Sequence, residues 1–321
     1  MSGRIRWSAV LLVLMLALVL PHRPALAAEP AAPARVVSVQ VSVAVKNPSS
    51  DPVTDFRVVV PPAVMSRVGT QRVLDVTFET KPQETRVTSA GTEAVYVLPV
   101  VKPGESLALK QTYLVELFGA GEVMLEQAAP GQEYLAAAAG AEADDPGIRA
   151  KAAELTRGLT TADAKAEAIM KFVTRFIAYD YNSPSRNKGA LAGFTTKSGV
   201  CSEYAGLFVA MARATGVPAR LVYGWANSES LNGTLNGGNR HVWAEYYSAE
   251  KGWVQVDPTF ATVLPLDQVM RFDGLNHVAQ DRVSTALSSS YLGNGYLRVS
   301  MSMLMANTTV AAGTSAATAR P

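Results

Sequence analysis

From Arg35 onward, apolar and polar residues alternate with a period of two. Val37, Val39, Val41, Val43 and Val45 are separated by Ser38, Gln40, Ser42 and Ala44, and Asn47-Pro48-Ser49-Ser50 marks a turn. Phe56, Val58 and Val60 repeat the pattern before Pro61-Pro62, and Ala94 to Val100 runs up to Lys102-Pro103-Gly104. Leu107, Leu109, Gln111, Tyr113, Val115 and Leu117 then alternate again. Side chains two apart share one face of a strand, so these runs predict short antiparallel strands with one face buried. Several of them, divided by turn signals, predict an all-β sandwich over residues 28–126. That segment holds no His, no Cys and no acidic cluster, which makes it a chemically silent accessory module.

Past a Gly/Ala-rich stretch at 121–140 the period becomes 3.6. Asp145-Pro146 supplies an N-cap and a first-turn proline for a helix carrying Ile148, Ala152 and Leu155, closed by Gly158. Thr160 or Thr161 caps a second helix whose apolar face is Ile169, Phe172, Val173, Phe176 and Ile177. A third starts near Cys201, carries Tyr204, Leu207, Phe208 and Met211, and stops at Gly216 before Pro218. Three strand patterns follow, at Arg220–Trp225, His241–Tyr247 and Gly252–Asp257, the last two as a hairpin. Helices followed by an antiparallel sheet predict an α+β domain over 127–290, with residues 291–321 as a C-terminal strand and a disordered tail.

The two ends of the chain change the charge argument. Arg4 and Arg6, an apolar run from Ser8 to Leu20 and the triplet Ala25-Leu26-Ala27 predict a secretory signal peptide over 1–27, with the mature chain starting at Ala28 or Glu29. The formal charge is +2, but Arg4, Arg6 and Arg23 leave with that segment, so the mature protein stands at −1. No basic stripe remains for a nucleic-acid partner. No later run reaches the roughly 18 apolar residues of a membrane span. The expected location is extracytoplasmic, either secreted or in the cell envelope.

The 321 residues include a single cysteine, so no disulfide can form within the chain, and a thiol kept outside the cell serves another purpose. Cys201 lies at a helix mouth behind Gly199, where the helix dipole favours a thiolate and the first-turn amides can face an oxyanion. A hairpin that pairs Tyr247 with Lys251 sets His241 directly across from Asp257, with Cβ atoms about 4.5–5.5 Å apart. It also puts His241, Trp243, Trp253, Gln255 and Asp257 on one face. Thiol, imidazole and carboxylate are the parts of a nucleophile, its base and the group that orients the base. Each residue alone has a plainer reading: a small buried cysteine, an ordinary strand histidine, a turn aspartate before Pro258. His22, His241 and His277 with one Cys have no metal-ligand spacing, and neither a metal nor another cofactor is expected.

Four motifs in order carry a resemblance: Gly199-Val200-Cys201-Ser202-Glu203-Tyr204-Ala205, Ala214-Thr215-Gly216-Val217-Pro218-Ala219-Arg220, His241-Val242-Trp243-Ala244-Glu245, and Gly252-Trp253 through Val256-Asp257-Pro258-Thr259. Together they resemble the transglutaminase-like superfamily over about Asp144 to Phe260, and the Asp163 helix and Tyr179-Asp180-Tyr181 look like its usual lead-in. The resemblance implies a papain-like layout with Cys201 as nucleophile, His241 as general base and acid, and Asp257 as orienter. The preceding sandwich looks like the immunoglobulin-like modules that accompany such domains. The superfamily includes proteases, amidases, deamidases and cross-linkers that share a thioester intermediate, and Tyr179 and Tyr181 are candidates for its second oxyanion donor. Hydrolysis of an amide in a peptide or protein substrate is preferred, with a cell-envelope component as a further candidate partner. The rivals are a cross-linking acyltransferase and a non-catalytic envelope-binding module. The Asn/Gly-rich stretch from Asn227 to Arg240, leading into His241, reads as a flap bordering the cleft.

Overall fold

The computed structural model describes residues 35–62, 67–68, 71–88, 91–118, 130–226, 239–270, 277–281 and 288–307. Residues 1–27, expected from the sequence to be a signal peptide, the stretch up to residue 238 that reads as a flap, and the residues after Asn307 lie outside the described residues. Seven strands come first: β1 (Arg35–Lys46), β2 (Val53–Val60), β3 (Arg67–Val68), β4 (Gln71–Phe78), β5 (Glu84–Thr88), β6 (Gly91–Val101) and β7 (Ser106–Leu117). Next are α1 (Pro146–Leu155), α2 (Ala162–Phe176), β8 (Ala178–Tyr179), α3 (Ala190–Thr196), β9 (Ser198–Gly199) and α4 (Cys201–Ala214). The chain ends in β10 (Ala219–Ala226), β11 (Asn239–Ser248), β12 (Gly252–Val256), β13 (His277–Asp281), β14 (Ser288–Leu292) and β15 (Arg298–Asn307).

The period-two runs form two antiparallel sheets, ordered β15-β1-β7-β4-β3 and β14-β2-β6-β5. Val43 and Val45 of β1 pack with Phe56, Val58, Tyr96 and Leu109 in a core shared by both sheets. Burying a valine completely stabilises by about 1.5–3 kcal/mol, so this strip is the main glue of the layer. The segmentation predicted from the sequence differs here in one respect. β14 and β15 come from beyond the α+β region yet pair with β2 and β1, so the chain leaves the sandwich and returns to complete it.

The first half of β1 has another task. Val37, Val39 and Val41, with Tyr113, Val115 and Leu117 of β7, pack against Trp225 of β10 and Val278 of β13. One valine face therefore faces the second sheet at one end and the α+β sheet at the other. The Gln71 side chain fixes the junction by pairing with the backbone of Ala279: its Nε2 donates to the carbonyl at 2.8 Å and its Oε1 accepts from the amide at 2.7 Å.

In the α+β part, the sheet order is β12-β11-β10-β13, all antiparallel. The helices start where the sequence places them. The Asp145 carboxylate accepts from the Ile148 amide at 2.9 Å, and the Thr161 hydroxyl accepts from the Ala164 amide at 3.2 Å. α4 is the central helix, buried from Glu203 through Ala212, and it packs on Ala244, Tyr246 and Val256 of the sheet. Asp163, in the first turn of α2, ties that helix to the β11–β12 hairpin. It accepts from Tyr246 Oη at 2.6 Å and Ser248 Oγ at 3.2 Å, and pairs with Lys251 at 3.2 Å.

Candidate functional site

The start of α4 is held by a buried glutamate. Glu203 has no exposed surface, and its Oε2 accepts from the Val200 amide at 3.0 Å. Its Oε1 accepts from the amides of Lys188 and Gly189 at 2.9 and 3.2 Å. A carboxylate that reaches back to the N-cap satisfies donors the first helical turn leaves open. Gly199 is required by this arrangement, since a Cβ there would lie 2.6 Å from Glu203 Cβ and Cγ. The space beside Gly199 is thus filled by Glu203. Cys201 follows as the first residue of α4, half-buried, with no acceptor for its amide inside the helix.

His241 and Asp257 meet, but not by the predicted pairing. β11 and β12 pair Tyr247 with Trp253 and Ser248 with Gly252, two residues away from the Tyr247–Lys251 register. The hairpin loop consists of Ala249, Glu250 and Lys251, with Gly252 at φ +72 taking the left-handed conformation after it. A shift of two keeps every side chain on its face, where a shift of one would invert the sheet. His241 therefore reaches Asp257 on the diagonal, Nε2 to Oδ2 at 2.5 Å. The other oxygen, Oδ1, accepts from the amides of Thr259 and Phe260 at 2.8 and 3.0 Å.

With Nε2 engaged, Nδ1 is the nitrogen left for Cys201, whose side chain is near enough to favour the charged imidazole. Burial opposes a charge on this ring. The Asp257 carboxylate and the Cys201 side chain outweigh it, and His241 is pushed up to about 10. Burial likewise opposes charge on Asp257, but His241 and then His277 hold the carboxyl well below its ordinary range. The three side chains named from the sequence are thus brought together, and the arrangement can hold a thiolate beside an imidazolium.

His277 is the residue that sequence reading missed. Its Nε2 lies 2.9 Å from the same Asp257 Oδ2, and its ring packs on Phe260, Trp243 and His241 with centroids 4.8, 5.0 and 5.3 Å away. Its signal was faint: one histidine at the head of a five-residue strand. His241, Asp257 and His277 offer three metal-type donor atoms within 4.8 Å of one another, a grouping no sequence spacing announced. Both imidazole nitrogens sit at hydrogen-bond length from a single oxygen, the geometry of shared protons.

Two tyrosines border the thiol. β8 runs parallel to β9 with Tyr179 beside Gly199, and Tyr223 lies on β10. Burial, followed by the nearby charge of Cys201, raises both phenols above the ordinary tyrosine value. Tyr181, the other tyrosine considered from the sequence, is mostly exposed and carries Arg186 stacked 3.6 Å over its ring.

Residues 149–258 match the sequence profile of the transglutaminase-like superfamily. A protein-glutamine gamma-glutamyltransferase of Pseudomonas aeruginosa is 35% identical over 124 residues, 36% of this chain and 18% of that protein. The uncharacterized protein YebA of Bacillus subtilis is 36% identical over 74 residues, 21% of this chain and 10% of that one. The chain thus spans under a fifth of the length of these relatives. Among solved structures, a Cytophaga hutchinsonii protein proposed to be a cysteine protease shares the fold, with a TM-score of 0.55 at 18% identity over 86% of this chain and 91% of its own. Residues 149–258 are a domain of the transglutaminase-like superfamily.

Proposed function

We propose that this protein is a thiol enzyme that attacks amide carbonyls of peptides or proteins, with Cys201 as nucleophile, His241 as base and acid, and Asp257 as the group that orients His241. The observation that carries the reading is the 2.5 Å contact of His241 with a carboxylate at 0% side-chain exposure, on a ring that Cys201 at the head of α4 is near enough to influence. His241 takes the thiol proton at Nδ1, Cys201 Sγ adds to the carbonyl carbon, and the imidazolium returns the proton to the departing nitrogen. A thioester remains on Cys201, and water or an amine resolves it. The Cys201 amide supports the oxyanion, with the phenol of Tyr179 as the neighbouring candidate donor.

Hydrolysis is the preferred outcome, because water is abundant and transfer needs a site that excludes it. Acyl transfer is the second reading, favoured by the name of the Pseudomonas aeruginosa relative. One assay separates them: a glutamine-containing peptide incubated with a labelled primary amine. Hydrolysis yields the glutamate peptide and ammonia, whereas transfer yields the labelled peptide. Neither product, with Cys201 inert to alkylation, would favour a non-catalytic binding module. The sandwich is read as an immunoglobulin-like accessory layer, on the strength of its two packed antiparallel sheets. The extracytoplasmic location rests on the targeting pattern of residues 1–27.

A further inference from the structure

We infer that His277 is a positioning residue of this site, a second imidazole donor that holds Asp257 in place and takes a share of its charge away from His241. The inference rests on the thiol-enzyme reading above. Two imidazoles converge on Asp257 Oδ2, at 2.5 Å from His241 and 2.9 Å from His277, while Oδ1 is filled by the amides of Thr259 and Phe260. All three side chains are buried, His277 and Asp257 at 0% side-chain exposure. A carboxylate with four donors cannot rotate, so the plane in which His241 must lie is fixed. Both rings must present Nε2–H to the same acceptor, which sets the His241 tautomer and leaves Nδ1 to the thiol.

The arrangement is built from a distant part of the chain. β13 brings His277 opposite Ala226 at the edge of the sheet, and Gln71 of the sandwich grips the backbone of Ala279 two residues on. The accessory layer therefore holds in register the strand that carries this histidine. The ionisable groups acting on the pair are Asp257, Cys201 and the two imidazoles themselves, with Tyr179 and Tyr223 on the Cys201 side. A donor taken from Oδ2 leaves more of the carboxylate charge on His241, so its imidazolium should persist to higher pH.

The test needs no knowledge of the substrate. The rate of Cys201 alkylation by iodoacetate, divided by that by iodoacetamide, follows the His241 proton, because only the anionic reagent gains from an imidazolium. In His277→Leu the midpoint at which this ratio falls should move up by about one pH unit, while His277→Gln, which keeps a donor near the Nε2 position, should stay within about 0.3 of the parent. A midpoint that stays put or falls in His277→Leu overturns the inference while leaving the thiol-enzyme reading intact. A parent whose Cys201 resists both reagents overturns the two together. Should His277→Leu fail to fold, 15N-histidine spectra of the unsubstituted protein decide: two exchange-protected downfield Nε2–H signals are expected, one of them lost in His277→Gln. A single such signal in the parent would overturn it.

Discussion

Gly224 lies directly across the β10–β11 ladder from His241, and no side chain fits at that position. A Cβ there would meet the Val278 carbonyl at 2.2 Å and the Trp243 ring at 2.6 Å. The missing methyl lets β13 and the Trp243 indole close in together beneath the imidazole. Gly224→Ala must therefore displace backbone, and it is expected to cost at least about 1–3 kcal/mol of stability. Thermal melting measures the loss, and slower Cys201 alkylation would report the displaced His241.

Cys201→Ala is expected to abolish turnover and labelling while changing stability by about 1 kcal/mol or less, because the thiol is half-buried at a helix mouth and fills no core space. Calorimetry alongside an activity assay checks this. A drop of several kcal/mol would instead mark Cys201 as a packing residue.

Asp257 is expected to separate orientation from folding. Asp257→Ala leaves two amides and two imidazoles without their buried acceptor and should cost about 3–5 kcal/mol. Asp257→Asn retains Oδ1 for the amides but turns an NH2 toward two N–H donors, so the fold should survive with the rate down by about 10³–10⁴. Denaturant titration and single-turnover kinetics test the two halves separately.

Glu203→Gln replaces a buried acceptor, surrounded by the amides of Val200, Lys188 and Gly189, with a group half of which donates. One or more of those amides then faces an NH2, at about 1–3 kcal/mol. The N-terminus of α4 should loosen, so hydrogen exchange at Val200 and Gly189 should speed up before global stability changes much.

The pH dependence of stability follows from the directions of the shifts. His241 is raised from 6.5 to about 10, so its contribution is complete below about 6.5 and lost as the pH climbs toward 10. Asp257 is lowered from 3.8, so its contribution is present above that value and fades in acid. Stability should therefore be highest near pH 5–6. In Cys201→Ala, which removes one of the groups favouring the imidazolium, the alkaline decline should be smaller and finish at a lower pH. Urea midpoints measured from about pH 2 to pH 10 test both limbs.

The site was legible because its parts sit on elements with strong local signals. Val37 to Val45 can only read as a strand, Asp145-Pro146 as a helix start, and the even register shift left His241 and Asp257 on one face despite the mispredicted pair. What escaped is non-local or short. α3 is seven residues containing Gly193 and two threonines, too brief for a helical period to emerge. β13 is five residues whose partner, β10, lies some fifty positions earlier, and no local pattern could join His277 to Asp257. The alternation of β1 told which side is buried but not that two different partners divide it.

The return of β15 to β1 has a bearing on how the molecule is made. Val37, near the start of the sandwich, pairs with Asn307, and the ten-residue ladder between them unites opposite ends of the described chain. A ribosome must deliver everything from β1 through β15 before that ladder can zip, so a sheet whose first strand is made early closes late. Until then β1 presents an open edge of unpaired amides and carbonyls, a template for aggregation. Proteolytic trimming before residue 298 would leave that edge open for good and weaken the footing that Val37, Val39 and Val41 provide for β10 and β13.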